Sequence, residues 1–123
     1  MLLDASALLA YILREPGATE IEHVLESGVW VSAVNLAEVT RVLARRQAHP
    51  VDPLTLIAQL NLLVLPFGPR ELREFTMFSL LQGQLSLADR ICLATAKAHG
   101  LPVLTGDRAW AELGLSIDIK LIR

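Results

Sequence analysis

Five short, mostly apolar runs punctuate the chain: LLD (2–4), VWVS (29–32), LVLPF (63–67), PVLTGD (102–107) and SIDIKLI (116–122). Each is short for a helix and rich in Leu, Val or Ile, so each reads as a strand. Helical patterns fill the intervals. ASALLAYILRE (5–15) runs unbroken to the PG at 16–17, and ATEIEHVLE (18–26) repeats apolar positions at Ile21, Val24 and Leu25. Ser32 is placed to cap a helix over 33–47, and Asp52 with Pro53 to start one running through LTLIAQLNL. Further helices are expected over 69–84 and 86–100, the latter closed by Gly100, with a short one over 108–113. Strand and helix alternate throughout. The expected fold is therefore α/β, with a central parallel sheet of four to five strands covered by helices on both faces. The last strand alternates Ile117, Ile119 and Leu121, which suits an edge.

The chain's 123 residues fit one domain spanning 1–123, long enough to bury a core without crosslinks. Its formal net charge of −2 excludes a general polyanion binder, so any nucleic-acid contact needs a local basic track or a metal. The single cysteine, Cys92, excludes an internal disulfide or a multi-cysteine zinc site and fits a reducing cytoplasm. MLLDASALLAYIL has no basic residue ahead of its apolar run, and Asp4 interrupts that run, so it does not read as a signal peptide. No apolar stretch reaches membrane-spanning length.

In parallel strand–helix units, helix N-termini lie at the edge where the strands end, and open α/β sheets bind ligands there. Four acids fall on that edge. Asp4 ends strand one, Glu38 lies in the second turn after strand two, Asp89 opens the helix before strand four, and Asp107 follows strand four. Each has an ordinary structural reading. Asp4 caps a helix, Glu38 pairs with Arg41, Asp89 completes a capping box with Ser86, and Asp107 belongs to a tight TGDR turn. Their coincidence at one edge favours a site. Clustered carboxylates repel unless they protonate or hold a cation, and oxygen-only ligands suit Mg²⁺ or Mn²⁺. Ser6 and Thr105 stand two residues from Asp4 and Asp107, within reach of a carboxylate, and Asn35 precedes Glu38 by one turn. His23 and His49 lie outside this set, and His99 reads as a helix C-terminal residue.

Arg41 and Arg45 share roughly the helix face of Glu38 and offer guanidinium groups to phosphates, or else pair with surface acids. Arg108 and Arg90 carry the same two readings. Trp110 either stacks a base or packs a short helix onto the sheet, the second being the ordinary reading. The helix around 54–63 is apolar nearly all round, which means core burial or a docked partner.

LLDASALLAYI, VSAVNLAEV, LSLADRICLATAKAHGLPVLTGDRAW and the final IDIKLIR together resemble the PIN domain, and more narrowly the VapC toxins of bacterial toxin–antitoxin pairs. The resemblance runs from residue 2 to the C-terminus. It implies a three-layer α/β/α sandwich and an endoribonuclease that uses Mg²⁺ or Mn²⁺ to hydrolyse RNA. It also implies a homodimer and a small VapB-type antitoxin partner. By motif position the family's acids fall on Asp4, Glu38, Asp89 and Asp107, as catalytic and metal-holding residues, with Ser6 and Thr105 as accessory hydroxyls. Asn35 stands where other members often have Thr or Ser. In-line attack of water on phosphorus would leave a 3′-hydroxyl and a 5′-phosphate. Two other readings compete. One is a catalytically silent PIN-like module acting through RNA or protein contacts. The other is a phosphatase with Asp4 as nucleophile, for which DAS lacks a second aspartate where Ser6 sits.

Overall fold

A computed structural model describing residues 1–123 places twelve elements along the chain. They are β1 (Leu2–Leu3), α1 (Ala5–Ile12), α2 (Ala18–Glu26), β2 (Val29–Ser32), α3 (Ala33–Gln47), α4 (Pro53–Leu60), β3 (Leu62–Leu65), α5 (Pro69–Phe78), α6 (Leu87–His99), β4 (Val103–Thr105), a 3-10 turn (Arg108–Glu112) and β5 (Ile119–Leu121). The strands form one sheet in the order β3-β2-β1-β4-β5, and every neighbouring pair is parallel.

Strand alternation splits the core into two layers. Leu3, Val29, Val31, Leu62 and Leu104 pack with residues of α1 to α4 on one face. Leu2, Leu65 and Val103 pack with α5, α6 and Trp110 on the other. This is the expected three-layer sandwich. Leu2 and Leu3 are both fully buried, so two adjacent residues of one short strand anchor both layers.

From β1 the chain builds outward to β2 and β3. The α5–α6 pair then carries it back across the sheet, to β4 on the other flank of β1. The connections reverse direction between β1 and β4, which opens a crevice at the ends of those two strands. Asp4 and Thr105 stand there, and Asp4 N–H donates to the Leu104 carbonyl at 3.2 Å.

Several boundaries differ from the sequence reading. The helix expected over 69–84 stops at Phe78. The Arg90 guanidinium reaches over from α6 and takes the Phe78 and Leu81 carbonyls at 2.6 and 2.9 Å, satisfying the helix end. Arg90 is thus a structural clamp. The helix expected over 5–15 ends at Ile12, with Arg14 in the left-handed region at φ 59°. Left-handed Asn61 ends α4 at Leu60, so the third strand begins at Leu62, and Pro66, with no N–H to give, follows its end. The fifth strand is confined to Ile119–Leu121 and is an edge, as its alternation indicated. Finally, α5 runs antiparallel to α6. Its first turn meets the last turn of α6, where Arg70 Nη2 donates to the Ala98 carbonyl at 2.7 Å. The N-terminus of α5 therefore does not share the edge of the acids.

α4 has no buried residue: Leu56, Ile57 and Leu60 pack partly on the core while Leu54 is 70% exposed. No helix is long and apolar enough to cross a membrane.

Candidate functional site

Asp4 is the centre of the acid-bearing edge. It is only 3% exposed, because β1 is the middle strand and ends directly beneath α1. Its carboxylate caps α1, with Oδ1 accepting from the Ala7 N–H at 2.8 Å. Ser6 Oγ donates to the same carboxylate at 2.8 Å, and Thr105 Oγ1 donates to Oδ2 at 2.6 Å. The two hydroxyls in turn accept from backbone: Ser6 from Gly106 N–H at 2.9 Å, Thr105 from Asp107 N–H at 3.0 Å. Ser6 and Thr105 thus bind the turn after β4 to the start of α1 and fix the carboxylate's orientation. Burial is the largest influence on Asp4 and pushes its pKa up to about 6. Hydrogen bonds from Thr105, Ala7 and Ser6 oppose that rise, and the charge of Asp89 adds to it.

Asp89 serves its helix as well. Its N–H donates to Ser86 Oγ and its Oδ2 accepts from Ser86 N–H, both at 3.0 Å, closing the expected capping box. That box engages one carboxylate oxygen, and Oδ1 makes no hydrogen bond within the chain. Glu38 is half-buried on α3. Burial, then the Asp89 charge, raises its pKa, against the pull of Asn35 and Arg41. Asn35 is fully buried, and its amide is committed: Oδ1 accepts from Ser32 Oγ at 2.7 Å, and Nδ2 donates to the Ala88 carbonyl at 3.3 Å. It therefore ties α3 to the residue before Asp89 and sets where Glu38 stands relative to that acid.

Three of the four acids share one neighbourhood. Beneath them lies Cys92, whose thiol pKa is raised by burial and then by the charges of Asp4, Asp89 and Glu38. Asp107 stands apart from that group. It is exposed, its Oδ1 accepts from Ala109 N–H at 3.0 Å, and it caps the 3-10 turn. As the side chains stand, no three His, Cys, Asp or Glu groups are close enough to grip one ion. The donor chemistry nevertheless suits a hard dication. All the donors are oxygens, and their mutual repulsion is what such a charge relieves. Gathering them on one ion requires side-chain movement.

The arginines divide. Arg41, Arg45 and Arg108 are exposed, and none of the chain's three ion pairs involves them. Arg41 nevertheless stands near enough to Glu38 for its charge to lower that acid's pKa. Trp110 is 1% exposed within the second core layer, so packing is its role. The chain's cavities, of about 330, 510 and 290 Å³, are lined by other residues and enclose none of the four acids.

One polar pair was not legible in the sequence. Glu71 is 4% exposed, with Oε1 2.7 Å from His99 Nε2 and Oε2 accepting from Gly68 N–H at 3.0 Å. It joins the start of α5 to the end of α6, two positions 28 residues apart in the chain. In the sequence His99 has only the signature of a helix-end residue, and Glu71 belongs to none of the acid-bearing motifs.

The family model of the PIN domain matches residues 1–115. Among solved structures, a chain of the DNA-bound VapBC from Salmonella typhimurium superposes with a TM-score of 0.75 at 17% identity, covering 99% of this chain and 97% of that one. A toxin–antitoxin complex from Klebsiella pneumoniae gives 0.73 at 20% identity, covering 99% and 97%. VapBC-5 from Mycobacterium tuberculosis gives 0.59 at 21%, covering 99% and 96%. Among curated proteins none matches. The fold is that of these complexes' chains, and by its sequence the chain belongs to the PIN domain family.

Proposed function

We propose that residues 1–123 form one domain that is a metal-dependent endoribonuclease, the VapC-type toxin of a type II toxin–antitoxin pair. The observation that carries this reading is Asp4, buried at the reversal point of the sheet and coupled by charge to Asp89. A carboxylate needing only to cap α1 has no use for a neighbouring acid. Asp4, Glu38 and Asp89 would hold Mg²⁺ or Mn²⁺, and Asp107 would complete the set or orient the attacking water. Bound there, the dication supplies positive charge against the phosphodiester and acidifies water.

The chain's own groups do the rest. Ser6 and Thr105 keep both oxygens of Asp4 in fixed directions. Asn35 holds Glu38 and Asp89 in register across two helices. Arg41, Arg45 and Arg108, free of ion pairs, are available to RNA phosphates. The solved complexes of like fold support a VapB-type antitoxin partner, with exposed Leu54 on α4 offering an apolar contact. A homodimer acting in the cytoplasm completes the reading.

The test is cleavage of a defined single-stranded RNA with Mg²⁺ or Mn²⁺, with EDTA, and by Asp4→Asn. Cleavage that needs the metal and Asp4 and leaves 5′-phosphate ends supports the reading. Equal cleavage by Asp4→Asn overturns it. RNA retained without cleavage would indicate the catalytically silent module.

A further inference from the structure

The segment after β5 returns to the acid-bearing edge. Ile122 N–H donates to the Thr105 carbonyl at 3.0 Å, extending the β4–β5 pairing up to the TGDR turn. Its side chain lies against Gly17, where a Cβ would meet Ile122 Cγ1 at 2.8 Å. Arg123 then spans two loops. Its Nη1 donates to the Pro16 carbonyl at 2.9 Å, with Glu15 only at the limit of an ion pair, 4.0 Å away. Its Nη2 lies beside Gly106, where a Cβ would stand 3.2 Å from that nitrogen and 3.3 Å from Ser6 Oγ. Gly106 is thus a gap across which a guanidinium faces the hydroxyl that holds Asp4. Nη2 makes no hydrogen bond within the chain, and 38% of the side chain is exposed.

This arrangement places an anchored cation on the β4–β5 side of Asp4, while Arg41 and Arg45 stand on the α3 side with Glu38. A guanidinium fixed by one nitrogen keeps its fork geometry at little entropic cost when the other nitrogens bind an oxyanion. We propose that Arg123 is a substrate-binding residue that receives a phosphate of single-stranded RNA next to the one cleaved. The inference rests on the ribonuclease reading above, and adds to it a wall of the substrate path on the side opposite α3.

The experiment measures binding of a fluorescent single-stranded RNA to the protein in EDTA across a salt series, for wild type, Arg123→Ala and Arg123→Lys. Cleavage by wild type and Asp4→Asn is followed in parallel. Arg123→Ala is expected to weaken binding about tenfold. It should also flatten the dependence of log affinity on log salt by about 0.7, the value of one single-strand phosphate contact. Arg123→Lys should keep most of that slope. In cleavage, KM should rise with kcat little changed. A role confined to strapping the chain end to Pro16 would lower Tm in Arg123→Ala and leave the salt slope intact, and that result overturns the inference. Unchanged RNA affinity in Arg123→Ala, with Asp4-dependent cleavage in wild type, overturns the inference alone. A wild type that neither binds RNA in EDTA nor cleaves it with Mg²⁺ or Mn²⁺ overturns it together with the ribonuclease reading.

Discussion

Two carboxylates in this molecule show almost no surface to solvent, yet they lie at different depths and their environments push them in opposite directions. Asp4 is 3% exposed and Glu71 4%. Burial raises the pKa of both. At Glu71 the hydrogen bonds from His99, its own N–H and Gly68, with the His99 charge, outweigh burial and leave the pKa below the ordinary value. At Asp4 the hydrogen bonds of Thr105, Ala7 and Ser6 do not outweigh it, and Asp89 adds a like charge. Low exposure alone therefore does not set the outcome: Asp4 lies deep in the protein, and Glu71 under a thin cover at a helix joint. Glu71 has a basic partner and closes a helix–helix joint. Asp4 is surrounded by hydroxyls and a fellow acid, with no basic side chain bonded to it.

The largest effect expected from this contrast is on activity. Asp89→Asn keeps the size and much of the capping geometry but removes a charge, and should lower the RNA cleavage rate by at least about two orders of magnitude. Glu71→Gln should leave the rate per folded molecule unchanged. A rate loss shared by both variants would erase the distinction between the two regions.

The pH dependence of stability should also separate them. The metal-free folded chain binds its Asp4 proton more tightly than the unfolded chain, so this group's contribution falls as pH rises from 3.8 to about 6. The shift corresponds to about 3 kcal/mol. Glu71 acts with the opposite sign: its contribution is present above its ordinary value of 4.5 and is lost as pH falls through the lowered folded value. Tm measured against pH in EDTA should lose the first slope in Asp4→Asn and the second in Glu71→Gln. Saturating Mn²⁺ should offset the Asp4 slope in wild type.

Smaller effects follow from the joints around each acid. Glu71→Ala strands His99 and the Gly68 N–H and should cost about 2 kcal/mol by urea unfolding. Ser86→Ala removes the α6 cap and should cost about 1 kcal/mol. Asp89 Oδ2 is held by the Ser86 backbone N–H, which alanine keeps, so Ser86→Ala should lower stability with metal affinity little changed.

Much of the fold was legible because local signals agreed with it. Apolar strand cores, the caps at Ser32, Asp52 and Ser86, and Gly100 all mark true boundaries. The direction of α5 was not legible, since it depends on contacts far apart in sequence: Arg90 with Phe78 and Leu81, Arg70 with Ala98, and Glu71 with His99. At the site, topology alone predicted which edge would gather the acids. It did not predict that Asp107 would cap a 3-10 turn on the exposed side, or that Asn35 would spend its amide on Ala88. Arg123 was invisible for the same reason as Glu71. Its neighbours, Pro16 and Gly106, come from other turns of the chain.

The central claim is that the Asp4 cluster binds a divalent cation, where Glu71 is matched by a basic side chain. Calorimetric titration of metal-stripped protein with Mn²⁺ above pH 7 tests it most directly. Wild type and Glu71→Gln should bind saturably with the same affinity, and Asp4→Asn should lose that binding. Undiminished Mn²⁺ affinity in Asp4→Asn would contradict the account.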